Sequence, residues 1–284
     1  MNLKKDKMLR LGFFFVALST LSALAIITIF IFVEGVPLIN KVGLVKFIFG
    51  MKWAPSQGLY GIFPMIVGTV TVTFGAALIG VPVALCVSIF LTEFAPKKIR
   101  TFMRSAIQLL AGIPSVVYGF WGLTFIVPFI RDYLGGPGLS ILAGSLILAI
   151  MILPTIISIT EVSLLSLPSL YKQGSLALGA THWQTIYHVL IPSAKSGIMA
   201  AIILGIGRAI GETMAVIMVL GNAVALPNSI LDPARTLTTN IGIEMGYASG
   251  THQQALFATG IVLLVMIMML NSLAQFIVRK RKDS

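Results

Sequence analysis

Arg208 and Glu212 stand four residues apart inside GIMAAIILGIGRAIGETMAVIMVLGN, Gly197 to Asn222, a run that is otherwise apolar. A charge at the centre of a bilayer costs roughly 2.5–3.5 kcal/mol even on lenient insertion scales, so two in one such run need a reason. Residues four apart on a helix can pair, which lowers the cost of burying each. Two readings follow. Either an ion pair fixes helix packing or register, or Arg208 meets an anion in transit and Glu212 neutralises it when the path is empty. A guanidinium suits the second role, because its planar donors match oxyanion oxygens and it stays charged at any relevant pH. Ser115 and Tyr118, which flank Pro114, and Thr213, which follows Glu212, are hydroxyls for the same path; local helix hydrogen bonding is the competing use of each.

The element that carries the two charges is predicted to be a membrane helix with a close neighbour. Gly197, Ala201, Gly205 and Ala209 recur every four residues and make a stripe of small side chains along which another helix can approach. At about 100° per residue, Glu212 falls about 20° from Gly205 and Arg208 about 60° from it, so both charges are expected on the interior side.

The rest of the chain reads as further spans. Hydrophobic residues make up 57% of the sequence and charged ones 10%, with mean hydropathy +0.99, which places it among integral membrane proteins. Six transmembrane helices are expected, at residues 11–33, 61–92, 105–130, 139–160, 198–221 and 255–278. The first follows a basic stretch, as a signal peptide would, but is too long for one. The third is expected to be broken at Pro114, which lacks an amide hydrogen and crowds the preceding turn. Residues 34–60 are expected to form a linker with a short surface helix, anchored by Trp53. Glu244, on the last outer connection, is expected to be a solvated surface acid. The chain divides into residues 1–60, a first helix with its linker, and 61–284, a five-helix core.

On this six-span layout, 14 of the 20 Lys and Arg fall on the side of both termini and 5 on the other, with Arg208 between them. Both termini are therefore expected in the cytoplasm. The net charge of +11 is not a nucleic-acid signature, because the basic residues sit in short clusters between apolar runs. Cys86 is the only cysteine, and His182, His188 and His252 lack the spacing of a zinc site, so neither disulfide nor metal is expected.

Residues 161–197 form a long cytoplasmic loop with a helical pattern rather than a disordered composition. Pro168 can open one short helix, Gly179 can break it, Thr181 can cap a second and Pro192 can end it. Small residues at Ala177, Gly179 and Ala180 alternate with the bulky Leu178, Trp183 and Tyr187, a shape suited to a partner's groove. The loop resembles the coupling loop of ABC importer permeases, whose pattern is EAA, three residues, Gly, nine residues, I-x-L-P. Gly179 matches the Gly, and Val189, Leu190, Ile191 and Pro192 stand at I-x-L-P. Gln173, Gly174 and Ser175 replace the EAA triplet, so the acidic position is absent. Residues Gln173, Gly174, Ser175, Ala177, Leu178, Gly179, Ala180, Trp183 and Pro192 are the expected ATPase-coupling set.

Three further blocks, GRAIGETMAVIMVLGNA from Gly207, LLAGIPSVVYGFWG from Leu109 and TLTTNIGIEMGYASGTHQQALFA from Thr236, resemble the permease subunits of phosphate-uptake ABC importers, of the PstC type. The resemblance implies an all-α integral membrane protein with the type I ABC importer permease fold, its first helix packed outside the core. It implies a bacterial or archaeal cell (inner) membrane, a PstA-like permease subunit, a PstB-like ATPase dimer, an extracytoplasmic phosphate-binding protein, and inorganic phosphate as the solute. No cofactor is expected in this chain, which has no GxxxxGK[ST] loop; ATP and Mg belong to the partner ATPase. Sulfate or molybdate uptake is the alternative within the class. A secondary ion-coupled transporter is the alternative outside it, set apart by the docking loop and by the lack of a duplicated three-helix half.

Overall fold

The structure, a computed structural model, describes residues 3–280, with side chains from 10 to 272. The basic clusters at the two ends fall largely outside those residues, since the side chains of Lys4, Lys5, Lys7, Arg279 and Lys280 and all of residues 281–284 are beyond them.

Among the described residues four helices are long and apolar enough to cross a membrane. They are α1 (Leu3–Val42), which runs into the short α2 (Leu44–Phe49); α3 (Phe63–Ile89), extended by a wide π turn at Phe90–Phe94; α7 (Ile141–Leu165); and α14 (Thr251–Lys280). Two further candidates are bent pairs, which bring the number to as many as six. One joins α4 (Lys97–Gly112) to α5 (Ser115–Trp121), a π turn at Gly122–Ile126 and α6 (Val127–Tyr133), with a bend of 94°. The other lies in and after the long loop. There α8 (Ser169–Ala177), α9 (His182–Thr185), a π turn at Ile186–Leu190 and α10 (Ile191–Ser193) precede α11 (Lys195–Gly211), with a bend of 71° at Ala194. Two short helices, α12 (Met214–Val219) and α13 (Leu237–Glu244), complete the set.

The third run differs from expectation. Pro114 does break it, but α4 already begins at Lys97 within the basic stretch and crosses the next helix nearly at right angles. Helix α4 carries Lys97, Lys98, Arg100 and Arg104 in its first half, with both lysines exposed, and buries Ile107, so the helix suits an interface better than a bilayer interior. Arg104 Nη2 lies 2.6 Å from Glu161 Oε1 at the end of α7, fixing the crossing. Ser115 to Tyr133 alone rises about 28 Å at 1.5 Å per residue, enough to reach across a hydrocarbon core.

Helix α7 is the centre of the packing. Its most apolar stretch is 67% buried, against 28% for those of α3 and α14 and none for that of α1. Ile147, Leu148, Ile152 and Ile156 of α7 pack with Val72, Ala76 and Ala84 of α3 and with Ala201 and Ala209 of α11. The small-residue stripe does what the spacing predicts. A Cβ on Gly205 would lie 2.7 Å from Ile156 Cγ1, and one on Gly197 would collide with Ser163. Helix α1 lies outside this core, on α14, where a Cβ on Gly35 would come within 2.8 Å of the Ala258 nitrogen.

The linker after α1 is not a free surface segment. A hairpin of β1 (Trp53–Ala54) and β2 (Leu59–Tyr60) pairs Trp53 with Tyr60, and its turn uses Gly58 at φ 71°. Leu38, Phe47, Trp53 and Tyr60 share one buried cluster with Leu237, Leu256 and Ala258, so linker and last helix fold together.

Candidate functional site

The two charges predicted to pair do not. Helix α11 ends at Gly211, and Glu212 leaves it with extended backbone, φ −70° and ψ 131°. Arg208 thus occupies the last turn of α11 rather than a helix midpoint, and among the described residues it makes no ion pair. The Glu212 carboxylate turns forward and accepts the Ala215 amide at 3.2 Å, capping α12, while its carbonyl accepts Thr238 Oγ1 at 2.9 Å. Both polar ends of the break are satisfied within the chain, which is why an apolar sequence can be interrupted here.

Arg208 is exposed in the isolated chain, not interior. The geometry of the stripe explains this: Arg208 sits about 100° around the helix from Ala209, whose side is sealed against α7. Among the described residues its guanidinium has one hydrogen-bond partner, Thr155 on α7, whose Oγ1 accepts from Nη1 at 3.3 Å. Nothing in the local spacing marks Thr155, because 53 residues separate it from Arg208.

The predicted hydroxyls divide. Tyr118 is buried and donates to the Leu110 carbonyl at 2.7 Å, bracing α4 against α5 across the Pro114 break. Its hydroxyl is therefore committed to the backbone. Ser115 opens α5 and is half-buried. Thr213 is half-buried and donates to the Gly211 carbonyl at 3.4 Å, a local use. Helices α5 and α12 meet closely, since a Cβ on Gly119 would lie 2.9 Å from Ala215 Cα. The split fifth run thus gathers Arg208, Thr155 and Glu212 around one break, with Ser115 and Tyr118 on the neighbouring helix.

The long loop forms two short helices set against each other. Pro168 precedes α8, Gly179 turns the chain at φ 85°, and Thr181 with Gln184 makes a reciprocal cap on α9. Ser175 Oγ lies 3.0 Å from Thr185 Oγ1 and joins the two pieces. Pro192 does not end the second helix, as expected, but sits inside α10. The π turn before it absorbs the missing amide, and the chain breaks two residues later at Ala194. Leu178 is 90% exposed, Tyr187 70% and Trp183 66%, with Gln173, Gly174, Ala177 and Gly179 also exposed and Ser175 and Ala180 half-buried. This is the knobbed surface the residue pattern predicts. Glu93 at the end of α3 binds α8 and stands beside α9: its Oε2 accepts Lys172 Nζ at 2.6 Å and lies 3.3 Å from His182 Nε2.

At the other end of α3, Glu244 is buried, correcting its reading as a solvated acid. Its Oε1 accepts Arg235 Nη1 at 2.7 Å; its Oε2 accepts Trp53 Nε1 at 2.8 Å and lies 2.8 Å from His252 Nε2. Trp53 is likewise no simple interfacial anchor, since its ring is buried and edge-on to Tyr60.

Residues 80–283 match the family described as "Binding-protein-dependent transport system inner membrane component". A Bacillus subtilis protein named "Probable ABC transporter permease protein YqgH" is 44% identical over 273 residues, covering 94% of this chain and 88% of its own. "Phosphate transport system permease protein PstC" of Xylella fastidiosa is 38% identical over 241 residues, covering 78% and 74%. Among solved structures, the inward-facing MetNI methionine ABC transporter aligns with TM-score 0.64 at 23% identity, over 81% of this chain and 99% of that one. The bacterial alginate ABC transporter aligns with TM-score 0.63 at 17% identity, over 99% and 98%. The chain belongs to the family of inner membrane components of binding-protein-dependent transport systems, and it has the type I ABC importer permease fold.

Proposed function

We propose that this protein is one permease subunit of an ATP-driven importer of inorganic phosphate. It would form half of a translocation path with a PstA-like subunit and span a bacterial or archaeal cell membrane six times with both termini in the cytoplasm. The observation that carries the reading is Arg208, a guanidinium without a carboxylate partner in an apolar run, exposed beside a break. Such a charge is tolerable only against water, a second polar surface or an anion. Relatives named as phosphate permeases favour the anion.

In this reading Thr155 holds one arm of the guanidinium and leaves its other donors for oxyanion oxygens. Glu212 acts on the path indirectly, by holding the break open as the cap of α12. Residues Gln173 to Pro192 present Leu178, Trp183 and Tyr187 to a PstB-like ATPase dimer, which supplies the ATP and Mg chemistry, while an extracytoplasmic phosphate-binding protein delivers the solute.

The test is reconstitution of the complete transporter with phosphate and, separately, sulfate. Arg208→Gln should lower phosphate uptake at least 100-fold, about 3 kcal/mol, in the range of a lost charge-assisted hydrogen bond to an oxyanion. Subunit assembly and ATP binding should be unchanged. Normal uptake by that variant removes the anion role of Arg208, and faster sulfate than phosphate uptake by the wild type removes the substrate assignment.

A further inference from the structure

Between Pro168 and Lys195 the loop contains Lys172, Lys195, His182 and His188 but no Asp or Glu. The carboxylate that serves it comes from elsewhere. Glu93, in the π turn that ends α3, is 79 residues from Lys172, yet its Oε2 accepts Lys172 Nζ on α8 at 2.6 Å and lies 3.3 Å from His182 Nε2 at the start of α9, without a hydrogen bond to it. The side chain of Glu93 is 12% exposed, so this contact is largely withdrawn from water. Its neighbour Phe94 stacks on the His182 ring at 5.1 Å and 25°, and meets Trp183 edge-on at 5.7 Å. One turn back, Leu85 and Ile89 of α3 pack on the cluster of Leu164, Ile186, Leu190 and Ile198.

From this arrangement we infer that Glu93 is the joint through which movement of the loop is carried into α3. The inference rests on the loop meeting an ATPase, as proposed above. The loop is covalently continuous with α7 and α11, so a push on its exposed knobs moves those helices directly. Helix α3 has no such connection. The Glu93 carboxylate grips α8 through Lys172, and the adjoining Phe94 ring holds α9 through His182 and Trp183, so that α3 follows the two short helices on either side of the Gly179 turn as one body. Glu93 is thus a positioning residue: it touches no solute, and its effect is on how much solute moves for each ATP consumed.

The experiment uses the complete transporter in proteoliposomes, with phosphate and with sulfate, measuring uptake and ATP hydrolysis in the presence and absence of the loaded binding protein. Wild type, Glu93→Gln, Glu93→Lys and the charge-exchanged pair Glu93→Lys with Lys172→Glu are compared. Glu93→Lys is expected to assemble and to hydrolyse ATP while the number of anions moved per ATP falls about tenfold, the size of a typical coupling energy. Glu93→Gln should fall less, and the exchanged pair should recover most of the ratio. A role confined to stability would lower assembly and hydrolysis in step with uptake and leave the ratio unchanged. A wild-type ratio in Glu93→Lys, or no recovery in the exchanged pair, overturns the joint. The ratio is read with whichever anion the wild type carries, so absence of phosphate uptake sinks the substrate assignment and leaves the joint to be judged on sulfate. Uptake that needs no ATP would remove both.

Discussion

Helix α3 has a carboxylate knot at each end, and the two are built alike but buried differently. Glu244 near its start and Glu93 past its finish each lie beside one long basic side chain and one histidine, whose ring in turn meets an aromatic ring. At the Glu244 end the partners are sunk, Arg235 at 14% exposure and His252 at 18%; at the Glu93 end they are open, Lys172 at 37% and His182 at 42%. Arg235 is also tied to the Asn222 carbonyl and to Asn240, whereas Lys172 has no second polar partner among the described residues. The lesson is that one set of residue types serves two ends. A carboxylate whose partners are sunk and multiply bonded suits a weld between chain segments, and one whose partners stand open to water suits the joint proposed above.

Substitutions should separate the two. Glu244→Gln removes the buried charge that compensates a mostly covered arginine, so unfolding of the detergent-purified chain should become easier by about 3 kcal/mol, the scale of a broken buried pair. An unchanged unfolding midpoint would mean that the Glu244 knot is no weld. Trp53→Phe keeps the ring but removes one donor to that carboxylate; the expected loss is about 1.5 kcal/mol in the same measurement, with limited proteolysis first cutting the 53–60 hairpin. Lys172→Gln should cost least, under about 1 kcal/mol, because the lysine itself is 37% exposed and has no second polar partner among the described residues. Should Lys172→Gln destabilise the chain as much as Glu244→Gln does, the contrast between the two ends disappears.

Much of the architecture was legible because membrane helices announce themselves by length and apolarity, and local punctuation by residue type. The break at Pro114, the cap at Thr181, the turn at Gly179 and the seam of Gly197, Ala201, Gly205 and Ala209 all depend on neighbours within a few residues. The fifth run was misread for the opposite reason. Apolar periodicity continues from Ala209 through Val219 as though the helix did, and only Thr238, 26 residues away, supplies the donor that lets Glu212 step out of it. Glu244 and Trp53 are invisible as partners because 191 residues separate them, and Glu93 and Lys172 because 79 do. What the sequence conceals, then, is the pairing of polar groups that meet only after the helices have packed.

Cutting the fifth run in two leaves α12 with six residues, too few to sustain a helix unaided. Its backbone order is borrowed from the Glu212 cap, from Gly119 on one side and from α13 on the other. Amide deuteration over Met214 to Val219 should therefore register any rearrangement of those three supports, well before the longer helices lose protection. A stretch too short to hold its own shape becomes the gauge by which the state of its surroundings can be read.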